Sequence, residues 1–157
     1  MKIRTDFVTN SSSSSFILAF NSEADVAPEL LAENTGGRLE TILRDVLNPR
    51  YKRTLMEVLT NYRDEISWHV SFDIEEEICR TKYWSYKEFR DWRKTHEEEF
   101  SLMIEDKVDD LVEDLREDLE GKEHIVVIEY GDEDGDGDLE HDIVPYLKSC
   151  KKRISHH

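Results

Sequence analysis

Between Ser85 and Gly121 apolar residues recur at Phe89, Trp92, Phe100, Met103, Ile104, Val108, Leu111, Val112, Leu115 and Leu119, with His96 in the one missing place. Steps of three and four put all of them on one face of an α-helix, a pattern no strand produces. Ser85 is a good N-cap and Glu88 stands three places on, so the two form a capping box. Trp84 before the cap and Phe89 after it have the spacing of a hydrophobic staple. Neither Pro nor Gly intervenes before Gly121, the first stop signal. About 35 residues rising ~1.5 Å each make a rod of roughly 50 Å, longer than a small domain is wide. A helix over about 86–120 must therefore project from the body, or bend or break, and the region Glu97–Ser101 is the expected place.

The charges along this run oppose the helix dipole. Lys87, Arg90, Arg93 and Lys94 lie near its start, and nine carboxylates from Glu105 to Glu120 lie toward its end. Asp106, Asp110, Asp114 and Asp118 also form a like-charge row at steps of four. Together these features cost roughly 1–3 kcal/mol at low salt. A surface kept acidic at that cost is suited to a cationic partner, although a merely solvated face has the same composition.

The whole chain has 157 residues and a formal net charge of −16, which opposes direct nucleic-acid binding and docking on anionic membranes. Residues 105–142 hold 18 acidic against three basic residues, a net of −15, while the remainder holds 19 against 18. The imbalance thus sits in the second half of the long helix and in the strand and loop that follow. The residues expected to meet a basic protein partner are Asp106, Asp109, Asp110, Glu113, Asp114, Glu117 and Asp118.

The loop Asp132-Glu133-Asp134-Gly135-Asp136-Gly137-Asp138-Leu139-Glu140 has acids at positions one, three, five and seven, Gly at six and an apolar residue at eight. This resembles the first two thirds of an EF-hand calcium loop, in which hard oxygen ligands alternate around a glycine kink. Position twelve is Ile143 where a bidentate Glu is required, and a strand precedes the loop where a helix is required. Two readings stay open. One is a looser Ca²⁺ or Mg²⁺ site built on Asp132, Asp134, Asp136, Asp138 and Glu140. The other is a solvated acidic turn with no cofactor.

Other segments are shorter. Phe16-Ile17-Leu18-Ala19-Phe20 is a short buried strand, approached by a lead-in of five serines, Ser11–Ser15. Residues near Pro28–Glu33 form a short helix, and Leu39, Ile42, Leu43, Val46 and Leu47 form another, stopped at Asn48-Pro49. A third helix spans Tyr51–Tyr62. Ile66–Ile74 alternates apolar and polar residues and predicts a half-buried strand, and His124–Tyr130 predicts a central one. Asp142–Leu147 is a strand or a short helix, and residues 151–157 are a frayed basic tail. Cys79 and Cys150 are too few for a disulfide scaffold and have no metal-ligand spacing, as expected of free thiols in a reducing cytoplasm. No stretch has transmembrane length and no signal peptide is evident.

The string Lys2–Ile17, containing Arg4-Thr5-Asp6-Phe7-Val8-Thr9-Asn10, five serines, Phe16 and Ile17, resembles the start of a scattered group of uncharacterised bacterial proteins. They share Arg-x-Asp-Phe-Val-Thr-Asn followed by serines, Phe and Ile. The resemblance covers about a tenth of this chain. It implies a bacterial or phage source and a short segment recognised or modified by another factor. It brings no activity, cofactor or catalytic residue.

No phosphate loop and no Gly-x-Ser-x-Gly occurs. The serines have no base at catalytic spacing, and no catalytic residue is assigned. The sequence therefore predicts one α+β domain over 1–150. A sheet of three or four strands, drawn from about Ser15–Phe20, Ile66–Ile74 and His124–Tyr130, has helices on one face and the long helix crossing it. The expected role is a non-catalytic, cytoplasmic interaction protein that presents an anionic patch to a basic protein surface. Inhibition by mimicry of nucleic-acid phosphates is one form of that role. Divalent-cation binding at the acidic loop is the alternative.

Overall fold

A computed structural model describes residues 13–33, 37–131, 139 and 143–156. The fold class is α+β as expected. Among the described residues there are five α-helices and a four-stranded, wholly antiparallel sheet. The chain divides into two compact units: residues 1–53 with 121–157, and residues 54–120.

The first unit holds the sheet. Strands β1 (Ser13–Phe20) and β3 (His124–Gly131) pair through their whole length, from Ser13 opposite Gly131 to Phe20 opposite His124. The two-residue strand β2 (Lys52–Arg53) pairs with the outer side of β3. Strand β4 (Cys150–His156) pairs with the outer side of β1, with a register shift between Ile17 and Leu18. The order is β2-β3-β1-β4. β3 is central, as its apolar run requires. On one face Phe16, Leu18, Phe20, Val126, Ile128 and Tyr130 pack with Val26 and Leu30 of α1 (Val26–Ala32) and with Ile42 and Val46 of α2 (Leu39–Val46). Ile17, Ala19 and Ile125, of opposite parity, are buried as well. Within this unit the helices therefore pack on one face of the sheet, as expected.

Two polar contacts fasten α2 to β3. The Tyr130 hydroxyl donates to the buried carboxylate of Asp45 at 3.1 Å, and His124 Nε2 donates to the Val46 carbonyl at 2.9 Å. That carbonyl belongs to the end of α2, where backbone acceptors lack intrahelical donors. The other ring nitrogen of His124 lies 3.9 Å from Glu23.

Two expectations fail in this unit. Lys151, Lys152 and Arg153, assigned to a frayed tail, lie in β4, because Ile154 is buried and the strand pairs with β1. Ser13–Ser15, read as a lead-in, already belong to β1, and Ser14 and Ser15 are buried. A sheet flanked on both sides satisfies serine backbone as well as any other. Residues 144–146 form a 3-10 turn, one of the two forms expected there.

The second unit is helical. Helix α3 (Leu55–Lys82) begins at a capping box: Thr54 Oγ1 accepts from the Glu57 amide, and the Glu57 carboxylate accepts from Thr54 N at 2.8 Å. It ends at Tyr83, whose φ of +56° is left-handed. The predicted strand Ile66–Ile74 is the middle of this helix. Its period-two alternation coexists with a period-four stripe, Tyr62, Ile66, Val70 and Ile74, and that stripe is the one buried. Trp68 and Phe72, the other half of the alternation, stand exposed. The longer register wins because it continues through Val58 and Leu59 to a capped start.

The predicted long helix is two helices. α4 (Tyr86–Arg93) starts at the expected Ser85–Glu88 box, and α5 runs over Glu97–Leu119. The break at Lys94–His96 lies just before the expected place. There the Thr95 hydroxyl donates to the Trp92 carbonyl at 2.9 Å, a side-chain bond that competes with helical backbone. His96 stacks on Trp92 with centroids 5.0 Å apart, so it is the hinge and not a rung of the apolar face. Trp84 rests on Trp92, and Phe89 meets Phe100 edge-on at 5.5 Å. Past α5, Gly121 adopts φ +75°, the stop its type announces.

The break also corrects the charge reading. Glu88 opens α4 and Arg90 and Arg93 close it, while Glu97, Glu98 and Glu99 open α5. Both starts suit the dipole. The unfavourable arrangement survives only in the second half of α5.

Candidate protein-interaction surface

In α5, burial of Val108, Val112, Leu115 and Leu119 sets the helix rotation, and the remaining arc faces solvent. All seven residues expected to meet a partner lie on that arc. Asp106, Asp109, Asp110, Glu113, Asp114, Glu117 and Asp118 are exposed. They form two adjacent rows at steps of four, Asp106-Asp110-Asp114-Asp118 and Asp109-Glu113-Glu117. Asp109 pairs with Arg63 of α3 at 2.6 Å, and Glu113 with Arg116 at 3.3 Å. Among the described residues, Asp106, Asp110, Asp114, Glu117 and Asp118 have no cation within 4 Å.

α3 and α5 run antiparallel, and an open groove of about 280 Å³ lies along them. From α3 it is lined by Val70, Asp73, Ile74 and Glu77. From α5 it is lined by Met103, Asp106, Lys107, Asp110 and Leu111. Val70 and Ile74 are buried in the floor, and the carboxylates stand at the rims. Sequence reading missed Asp73 and Glu77 because it placed them in or beside a strand. The signal that finds them is the spacing Val70, Ile74, Ile78, which is helical and carries both acids on its flank.

The expected metal residues Asp132, Asp134, Asp136, Asp138 and Glu140 lie outside the described residues. So does His141, while Leu139 between them is buried in the first unit's core. The carboxylates of 105–120 belong to the second unit. Among the described residues, no group of three His, Cys, Asp or Glu side chains is placed to hold a metal ion.

The free thiols are Cys79 and Cys150. Burial pushes the Cys150 thiol up to about 11. At the start of α4, hydrogen bonds from the Ser85 amide and hydroxyl hold the Glu88 carboxyl below its ordinary 4.5. Among the described residues, no helix is long and apolar enough to cross a membrane. Compared with known proteins, the chain matches no protein family, no curated protein and no solved structure.

Proposed function

We propose that this is a non-catalytic interaction protein of the cytoplasm whose α5 presents a carboxylate ridge to a basic protein surface. The observation that carries the reading is the pairing deficit on α5: five exposed carboxylates with no cation within 4 Å among the described residues, four of them in the half of the helix whose dipole disfavours anions. Such a field speeds encounter with a positive partner and fixes its orientation more than it adds raw affinity. The two unpaired cysteines support a reducing compartment. Two parallel carboxylate rows also support occupancy of a nucleic-acid-binding cleft, which fits an inhibitor of bacterial or phage origin.

The test compares the native chain with a triple variant, Asp110→Asn, Asp114→Asn and Asp118→Asn, as bait in lysate at low and high salt. Proteins retained by the native chain, released as salt rises and lost with the variant support the ridge. An identical retained set for both baits overturns it.

A further inference from the structure

We propose that the groove between α3 and α5 is the anchoring site for a basic amphipathic helix of the partner protein. The inference rests on the acidic-ridge reading and sharpens it from a charged face to one seat. The groove is not only charged. Its floor is apolar, made by Val70 and Ile74 on one side and Leu111 on the other. Its rims carry Asp73 and Glu77 on α3 and Asp106 and Asp110 on α5, with Lys107 the only cation lining it among the described residues.

The lining residues of α3 fall at i, i+3, i+4 and i+7, so the seat is about two helical turns long. A third helix laid between two antiparallel helices is ordinary packing geometry, and apolar residues repeating at three and four are what such a groove receives. Charge complementarity names the rest. An occupant with Leu-like residues on its seam and Lys or Arg along both flanks sets a cation against each rim, its aliphatic stems lying on the floor. Nucleic acid and anionic lipid are repelled by the same rims.

The probe is a synthetic amphipathic helix with leucines on one face and lysines on both flanks, compared with a scrambled peptide of the same composition. Binding is read by fluorescence anisotropy, and folding of each variant by circular dichroism. Asp73→Asn with Asp110→Asn removes two rim charges, and affinity is expected to fall about tenfold. Asp114→Asn with Asp118→Asn removes the same charge from α5 outside the groove and should weaken binding only about twofold. Lys107→Ala removes a competing cation and should tighten it about threefold. The scrambled peptide should bind at least about tenfold more weakly. Equal weakening by the two double variants overturns the groove while leaving the ridge in place. Absence of any salt-sensitive binding by either peptide overturns both.

Discussion

Tyr83 is the clearest strained residue. It holds φ +56° at the end of α3 while its side chain is almost wholly exposed, so the ring contributes little in return. A left-handed residue with a Cβ costs about 1–2 kcal/mol, partly offset in glycine by the entropy of a freer unfolded chain. Tyr83→Gly is expected to stabilise by about 0.5–1 kcal/mol, seen as a higher urea midpoint with an unchanged slope. Glu88 yields a prediction of opposite sense in pH. Its folded carboxyl is depressed below 4.5, so the stability it contributes is present above 4.5 and is lost as pH falls through the folded value. As pH falls below 4.5 the native protein should lose more stability than Glu88→Gln, whose cap does not titrate. Parallel acid-induced slopes would remove the cap from the account. The Ser85–Glu88 box was legible in the sequence because capping depends on residues three apart. The Tyr130–Asp45 and His124–Val46 contacts were not, because 85 and 78 residues separate the partners.

Helix α5 shows stability and recognition pulling against each other. Asp114 has like-charged neighbours four places away on both sides, near the end of the helix dipole that already repels anions. Asp114→Lys turns two repulsions into two attractions and should stabilise the fold by about 1 kcal/mol. The same change should weaken the basic partner. Measuring melting and binding on one variant separates a functional ridge from a decorative one: gain in one with loss in the other supports function, whereas gain in both argues against it. Periodicity announced the helix and its acidic rows correctly. It could not show the break at Lys94–His96, which depends on Thr95 bonding the Trp92 carbonyl and His96 stacking on Trp92. It also misassigned Ile66–Ile74. Five apolar residues at period two, three of which also fall at period four, carry too little information, and the capped 28-residue helix around them decides the register.

For the molecule as a whole, a net charge of −16 concentrated in 105–142 makes self-repulsion a standing penalty. Raising salt to about 0.5 M should raise the melting temperature, in contrast to a fold held by surface ion pairs, which salt weakens. A fall on adding salt would mean that pairs such as Arg63–Asp109 outweigh the repulsion. Truncating the sheet core tests the other unit. Phe16 is fully buried between α1, α2 and the ring of Tyr130, and Phe16→Ala should cost about 3–5 kcal/mol by denaturant titration. Local patterns in this chain determine its helical face, its caps, its two central strands and the acid count of its surface, since each depends on residues within a turn or a strand of one another. Which strands flank β1, which half of an ambiguous alternation is buried, and that Asp73 and Glu77 share a groove with Asp106 and Asp110 are decided by packing between distant segments, where the burial of one stripe excludes every competing register.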